Sequence, residues 1–318
     1  MSETIESILG AVSPGEIESL TCDLIAIETH EAAAEREKPG AAYIKDYMER
    51  RGVPAKLIPV VDGRPNVIAR VSGSGGGPVL LLNGHTDTVP AYAMKDAFKA
   101  RIEGDRITGR GSVDMKGALA AMMCALVALT RSRANFPGDI VFAATIGEEE
   151  TSEGASHLVS SALRADYAIV GEPTGLNVGI AHKGTVRGEA VFGGRAVHSS
   201  IPAQGVNAIH SASAWIERIR SEYIPSLARR SHALLGSPTM NLGTIAGGTR
   251  MSSVPDRCTI RFDRRTIPGE EPDGVVRELQ TIADEIAAGD PEFRATVEEL
   301  PEYVVGPHPP LESDPKSP

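Results

Sequence analysis

The sequence predicts an α/β fold with a mostly parallel sheet flanked by helices, followed by a smaller α+β module. Three short apolar runs, at 79–82, 140–145 and 167–170, have the composition of buried parallel strands. Helical segments separate these runs, which is the strand–helix alternation of a sheet with crossover connections. From about residue 179 the pattern changes to β-α-β-β-α, which is typical of a ferredoxin-like layer of helices on one sheet face.

The first half of the chain begins with two predicted helices. Ser13 can cap a helix, Pro14 suits its first turn and Glu16 completes a capping box, so we expect this helix to run to about residue 29. A second helix is expected at 40–51, closed by Gly52. The other predicted elements of this half are strands at 55–60 and 66–71, a glycine-rich turn at 72–78, and helices at 116–129 and 154–163.

The second half carries alternating strand patterns and amphipathic helices. Its predicted elements are strands at 185–192, 240–245 and 258–263, and helices at 205–223 and 271–288. The proline-rich end, 306–318, is expected to be a linker or a disordered tail. The sequence therefore divides into a first domain at 1–178, a second at 179–290, and a remaining segment at 291–318.

The composition, with 41% hydrophobic and 23% charged residues, indicates an ordinary soluble globular protein. The formal net charge of -10 disfavours a nucleic acid partner. The longest apolar stretch, 117–129, is too short to span a bilayer, and the start shows no signal peptide. Three separated cysteines argue against a disulfide framework. We therefore expect a cytoplasmic protein with no membrane partner.

Side chains that can bind metal follow each of the three predicted parallel strands. His85 follows the first strand, a glutamate triplet at 148–150 follows the second, and Glu172 follows the third. Ligands of open α/β sheets bind outside the carboxyl ends of the strands, so these side chains should meet at one edge. Asp114, just before the long helix, adds another carboxylate.

Imidazole and carboxylates together suit zinc or a similar divalent cation. The carboxylates exceed what one catalytic zinc requires, and the surplus allows one of them to bridge two ions. Two ions about 3.5–4 Å apart can share a water and polarise a carbonyl, while a carboxylate that is not a ligand takes the proton of the water. Asp87, two residues after His85, could hold the second imidazole nitrogen.

Each of these residues also has a simpler interpretation. His85 can be a surface residue, the triplet a solvated face, and Asp114 a helix cap. Four such coincidences at one sheet edge would be needed, so we favour the metal site. A nucleotide-binding function is disfavoured, because the glycine-rich segment 73–77 precedes a strand instead of opening a helix.

Four segments resemble the M20 metallopeptidases, which include acetylornithine deacetylase, succinyl-diaminopimelate desuccinylase, aminoacylase and glutamate carboxypeptidase. The segments are GHTDTVP at 84–90, GRGSVDMKG at 109–117, EEE at 148–150 and GEPT at 171–174. The resemblance runs from about residue 10 to about 290. It implies a catalytic domain interrupted by a lid domain that often dimerises, so 179–290 would be the lid and 291–318 would begin the return to the catalytic domain.

The resemblance also implies a role for each residue of the constellation. The implied metal ligands are His85, Asp114 as the bridge, Glu150 and Glu172. Glu149 would be the general base and would then protonate the leaving amine, while Asp87 would orient the ligand histidine. Glu148 would occupy a position that is not a ligand. Two divalent ions are expected, with zinc favoured and cobalt or manganese as alternatives.

Three residues of the second domain are candidates for substrate contact. His198, in RAVHSSIP, resembles the lid histidine that steadies the oxyanion of the reaction. Arg265, in DRRTIPG, resembles an arginine that binds the substrate carboxylate, and Asn241 would contact substrate in the same way. Considered without the resemblance, His198 is a surface turn residue and Arg265 is a sheet-face arginine in a salt bridge.

The last metal-binding histidine of the family has no match here, because the proline-rich context of His308 does not fit that motif. One metal would then lack a protein ligand and the catalytic sheet would lack a strand or two, whether the chain is truncated or naturally short. The sequence predicts a hydrolase that cleaves the amide of an N-acyl amino acid or small peptide, as a homodimer formed through the lid. The alternative is a catalytically impaired or dead homologue that acts as a binding or dimerisation protein.

Overall fold

The computed structural model describes residues 3–300 and 309–316 of the 318-residue chain. The chain divides into two compact units, Met1–Leu176 and Asn177–Pro318. The secondary structure of the first unit is α1 (Glu3–Gly10), α2 (Pro14–Ala26), α3 (Lys38–Arg50), β1 (Ala55–Val61), β2 (Arg64–Val71), β3 (Leu80–His85), β4 (Arg101–Glu103), β5 (Arg106–Thr108), a π turn (Ser112–Lys116), α4 (Gly117–Ser132), β6 (Ile140–Thr145), α5 (Glu153–Ser160) and β7 (Tyr167–Val170).

The start of α2 is the one predicted from sequence. The Ser13 hydroxyl accepts a hydrogen bond from the N–H of Glu16 at 3.3 Å, and Pro14 occupies the first turn. The other half of the capping box is replaced, because the Glu16 carboxylate binds Arg51 and Arg131. The helix ends at Ala26, three residues earlier than expected, since the chain becomes extended at the next residue.

The sheet of the first unit has the strand order β1-β2-β6-β3-β7. The strands β6, β3 and β7 run parallel, as predicted, whereas β1 and β2 join antiparallel. The structure corrects one expectation, because β7 is an edge strand whose four residues are exposed instead of buried. With β3 between β6 and β7, the carboxyl ends of all three parallel strands reach the same edge.

The helix α4 forms the centre of the first core. Its Leu119, Met123 and Leu126 are fully buried and belong to the same core cluster as Phe142 of β6 and Val67 of β2. With the π turn, the helical run spans Ser112–Ser132, which is long and apolar enough to cross a membrane by length and composition. This run is longer than the apolar stretch recognised in the sequence, and its packing is that of a core helix.

The second unit is a four-stranded antiparallel sheet of order β10-β11-β9-β12. Trp215, Phe192 and Leu279 are fully buried where the helices cover one sheet face. The secondary structure of this unit is β8 (Ala181–His182), β9 (Gly184–Gly193), a 3-10 turn (Pro202–Gln204), α6 (Ala208–Arg218), a π turn (Ile219–Tyr223), α7 (Ile224–Leu227), β10 (Thr239–Gly247), β11 (Arg257–Thr266), α8 (Pro272–Gly289), β12 (Arg294–Glu299) and β13 (Leu311–Glu312).

Two features of the second unit differ from the sequence-based expectations. The helix predicted from residue 205 begins at Ala208, because the Asn207 side chain caps it by accepting the N–H groups of Ile209 and His210. The strand β12 was not predicted, and it pairs with β9 along its length. Since β12 belongs to this sheet, the boundary expected at residue 290 falls inside a packed unit.

The end of the chain also differs from the expected linker or tail. Leu311 and Glu312 form the short strand β13, which pairs antiparallel with His182 and Ala181 of β8. A strand of two residues is too short to show a periodic pattern in the sequence. Its pairing depends on backbone groups that the fold brings close together. His308 lies outside the described residues.

Candidate metal centre

The candidate site lies at the carboxyl edge of the three parallel strands. His85 is the last residue of β3, and Glu172 follows β7 by two residues. Residues 146–154, which we call the acidic loop, join β6 to α5 and carry the glutamate triplet. Asp114 has an extended backbone within the π turn that precedes α4.

His85 is held by the residues that follow it in the chain. Its side chain is 1% exposed, and Nδ1 donates a hydrogen bond to the backbone carbonyl of Asp87 at 3.0 Å, with the Asp87 carboxylate 3.5 Å away. A carbonyl oxygen can only accept, so Nδ1 carries the proton and Nε2 of a neutral ring is the atom free to bind a cation. The hydrogen bond to the backbone carbonyl fixes the ring, and the orienting role of the Asp87 side chain stays a prediction.

Three carboxylates face the Nε2 atom of His85. Asp114 Oδ1 lies at 3.0 Å, Glu172 Oε1 at 3.7 Å and Glu148 Oε2 at 3.9 Å. Among the described residues, two groups have the spacing to hold a metal ion. These groups are His85–Glu148–Glu172 and His85–Asp114–Glu149.

The three glutamates of the triplet have different surroundings in the structure. Glu148 and Glu149 belong to the two groups, whereas Glu150 belongs to neither. The carboxylate of Glu150 is bound instead by the guanidinium of Arg36. The role of Glu150 as a metal ligand stays a prediction.

The position of Glu148 after β6 explains why its carboxylate lies near His85. Glu148 is the triplet residue nearest to the end of β6, so it leaves the sheet closest to the edge where His85 lies. Glu149 is fixed by its backbone, whose N–H donates to Asp87 Oδ2 at 2.9 Å. Lys116, which is also almost fully buried beside this site, donates through Nζ to the carbonyl of Ile27 at 2.7 Å.

The electrostatics of the site fit a divalent cation. Burial disfavours a charged His85, yet the carboxylates of Asp87, Glu148 and Glu172 outweigh it and raise the pKa of the imidazole to about 10. Burial raises the pKa of Glu172 to about 7; His85 opposes this rise and neighbouring carboxylates add to it. Burial and the Asp114 charge likewise raise the pKa of Glu149. Cations would relieve this crowding, and imidazole with carboxylates is a donor set that zinc accepts.

A family comparison agrees with this geometry. The sequence model of peptidase family M20/M25/M40 matches residues 81–304, which contain every member of the two groups. The chain belongs to this family. The resemblance found in the motifs is therefore confirmed.

Curated relatives of this M20 chain include two amide-hydrolysing enzymes by name. A probable succinyl-diaminopimelate desuccinylase of Staphylococcus epidermidis is 30% identical over 277 residues, covering 78% of this chain and 67% of the relative. An acetylornithine deacetylase of Vibrio parahaemolyticus is 36% identical over 255 residues, covering 78% and 65%. The chain thus spans about two thirds of the length of the curated relatives it matches.

Solved M20 structures share the fold. An M20 family metallo-carboxypeptidase from Sulfolobus solfataricus has a TM-score of 0.72 at 20% identity, covering 95% of this chain and 80% of that one. A dinuclear metal-binding M20 peptidase from Bacillus subtilis has a TM-score of 0.68 at 18% identity, covering 95% and 76%. These likenesses confirm the predicted α/β fold with a separate antiparallel sheet.

The other predicted site residues of this M20 chain lie in the second unit. His198 is exposed, and its Nδ1 shares a hydrogen bond with the Ser200 hydroxyl at 2.7 Å. Arg265 is exposed and binds the Asp263 carboxylate, with Nε 2.7 Å from Oδ1, so its guanidinium has the salt bridge of the simpler interpretation. Asn241 is exposed on β10. Their roles toward substrate stay predictions.

Proposed function

We propose that this chain is a two-metal hydrolase that cleaves the amide bond of an N-acyl amino acid or small peptide. The observation that carries the proposal is the meeting of three carboxylates at His85 Nε2, at 3.0, 3.7 and 3.9 Å. The substrate class is supported by relatives named as a desuccinylase and a deacetylase, both of which act on acylated amino groups by name.

We assign four residues as those that would hold the two ions: His85, Asp114, Glu150 and Glu172. Asp114 and Glu172 lie 3.0 and 3.7 Å from His85 Nε2, and the assignment of Glu150 follows the resemblance. When bound, two divalent ions would polarise the substrate carbonyl and lower the pKa of a nearby water. The backbone carbonyl of Asp87 accepts the Nδ1 proton of His85, which leaves Nε2 as the nitrogen where a cation would replace a proton.

We further propose that Glu149 is the general base, as the resemblance implies. Glu149 lies in one group with His85 and Asp114, so its carboxylate is within reach of a water held at the site. Burial and the Asp114 charge raise the pKa of Glu149, which suits a proton acceptor. Glu149 would take a proton from the attacking water and then deliver it to the leaving amine nitrogen.

The test is metal analysis of the purified full chain, paired with amine release from N-acetyl and N-succinyl amino acids. We expect bound zinc or cobalt after reconstitution, and turnover that chelation abolishes and metal restores. Glu149→Gln should lose turnover by 100-fold or more while it retains its metal. A chain that binds no metal after reconstitution contradicts the proposal.

A binding or dimerisation function without catalysis is the second candidate. Over residues 3–300 and 309–316, His85 is the one histidine found in the two groups, whereas the resemblance implies a second histidine ligand. Metal binding without turnover of any N-acyl amino acid would favour this candidate.

We propose zinc as the metal, with cobalt or manganese as alternatives, and a cytoplasmic homodimer as the working form. The described strand β10 supports a dimer formed through the second unit, because it is a nine-residue edge strand with Ile245 exposed. The free Cys22, Cys124 and Cys258 are in keeping with a reducing compartment. Light scattering of the native chain and of Ile245→Lys tests the dimer, which the charge should weaken.

A further inference from the structure

The acidic loop is closed at both ends by one side chain. Asn66 of β2 is 1% exposed; its Oδ1 accepts the N–H of Ile146 at 3.1 Å, and its Nδ2 donates to the carbonyl of Gly154 at 2.8 Å. The N–H of Gly154 also donates to the carbonyl of Ile146 at 3.1 Å. Three hydrogen bonds therefore close the loop, and two of them come from a residue of the neighbouring strand.

A buried arginine of the same strand holds the second half of the loop. Arg64 pairs with Glu37 through two hydrogen bonds, of 2.7 Å from Nε and 2.5 Å from Nη2, and its Nη1 donates to Glu153 at 2.6 Å. The side chain of Glu37 is fully buried. The other carboxylate oxygen of Glu153 accepts from the Thr151 hydroxyl. A buried guanidinium that binds a carboxylate through two hydrogen bonds fixes the orientation of both side chains as well as the distance between them.

A third anchor uses the glutamate that the metal groups leave out. Arg36 binds Glu150 on the loop, and its Nε lies 3.9 Å from Glu37 Oε2. Arg36 and Glu37 are consecutive residues. Arg36 binds Glu150 directly, and Glu37 is connected to Glu153 through Arg64, which binds both carboxylates. We call this set of contacts, from Arg36, Glu37, Arg64 and Asn66, the loop frame.

We propose that Arg64 and Asn66 are positioning residues of the metal site, which hold the acidic loop so that its first two glutamates face His85. This inference rests on the proposed metal function for its consequence, and on the described contacts for its mechanism. The frame contacts reach the loop through the carboxylates of Glu150 and Glu153 and the backbone of Ile146 and Gly154. The frame can therefore be weakened while the full set of metal-facing groups is retained.

The test compares two mild variants with a matched control. Arg64→Lys keeps the charge but loses the fork that binds Glu37 and Glu153 together. Glu153→Gln keeps the shape but loses the charge at a partly exposed end of the frame. Arg70→Lys is the control, because Arg70 lies on the same strand and pairs with Asp139, away from the loop.

Two measurements on the full chain separate the frame from the proposed function. Hydrogen exchange of the metal-free chain should speed up at 146–154 by 10-fold or more in Arg64→Lys and Glu153→Gln, and stay unchanged in the control. Titration with cobalt(II) chloride, followed through its visible absorption, should show affinity weakened by roughly 10- to 100-fold and altered bands in the same two variants. A purely structural role would change stability without altering those bands.

The results that would contradict the loop frame, its link to the metal site and the proposed function can be told apart. Unchanged exchange at 146–154 in both variants would overturn the frame, and faster exchange with unchanged cobalt affinity and bands would overturn its link to the site. If the unmodified chain binds no cobalt, the proposed function fails, and the exchange measurement still decides whether the frame holds the loop.

Discussion

The backbone N–H of Glu149 donates a hydrogen bond to Oδ2 of Asp87, at 2.9 Å. The same Asp87 accepts the Nδ1 proton of His85 through its backbone carbonyl. One buried aspartate therefore connects the end of β3 to the acidic loop. This residue positions the imidazole and the acidic loop relative to each other. The loop frame supplies further contacts that hold the acidic loop.

Replacing this aspartate should weaken metal binding without removing a ligand. In Asp87→Asn the neutral amide leaves the loop N–H with a weaker acceptor and the imidazole without a neighbouring charge. We expect metal affinity to fall by roughly 10- to 100-fold. Isothermal titration with Zn²⁺ measures it, and Asp96→Asn, at an exposed ion pair, is the control. Equal affinities for both variants would show that Asp87 does not orient the site.

The three glutamates of the acidic loop should respond differently to the same substitution. We expect Glu149→Gln to lose turnover and keep its metal, Glu150→Gln to lose part of its metal, and Glu148→Gln to keep most of both. The reason is that the resemblance implies a base at Glu149 and a ligand at Glu150. Metal analysis and amine-release rates on the three proteins measure this. A Glu150→Gln protein that kept all of its metal would show that the ion pair with Arg36 keeps Glu150 away from the site.

A methyl group at the closure of the loop should destabilise the first unit. A Cβ on Gly154 would lie 2.4 Å from the nitrogen of Ile146 and 2.6 Å from Oδ1 of Asn66. The gain in helix propensity from Gly154→Ala is about 1 kcal/mol, and overpacking against backbone costs about 1–3 kcal/mol, so destabilisation should win. Urea unfolding measures it. Gly15→Ala, where the added carbon meets nothing within 4 Å, should be neutral or stabilising.

The stability supplied by Glu16 should depend on acid pH. Hydrogen bonding from Arg131, against the opposing effect of burial and with help from Arg51 and Tyr47, lowers the pKa of Glu16 from 4.5 to about 2. A carboxyl group with a lowered folded pKa stabilises above its unfolded pKa, and the effect is lost as pH falls from about 4.5 to about 2. Glu16→Gln should cost about 1–3 kcal/mol at pH 7.

Urea unfolding at pH 7 and at pH 3 measures this difference for wild type and Glu16→Gln. The gap between the two proteins should narrow at the lower pH. Glu18→Gln, exposed on the same helix, should show little gap at either pH. A gap that widens toward acid would contradict the assigned ion pairs of Glu16.

The predicted substrate arginine can be tested against its neighbour on the same strand. If Arg265 binds a substrate carboxylate, Arg265→Lys should raise KM by about 10-fold with a smaller effect on kcat, because the lysine loses the bidentate fork. Arg261 lies four residues earlier on β11 and is exposed like Arg265. Arg261→Lys should leave KM near its original value. Equal KM values for the two variants would leave Arg265 as a sheet-face partner of Asp263.

The sequence by itself determined the parts of this protein that depend on local signals. The start of α2 follows from Ser13 and Pro14, and the parallel strands follow from short apolar runs at 140–145 and 167–170. The residue types after those strands were enough to predict a metal site at one sheet edge. His85 and Asp114 were candidates from their positions in the sequence, and the structure places their side chains 3.0 Å apart.

Only the tertiary structure decided which glutamates of the triplet face His85. Three consecutive identical residues carry no periodic signal, and in an irregular loop the direction of each side chain is set by its partners. The contacts of this loop come from far along the chain: Arg36 binds the Glu150 carboxylate across 114 residues, and Asp87 accepts the backbone N–H of Glu149 across 62. Side-chain direction in a loop is a property of long-range contacts, which local sequence does not encode.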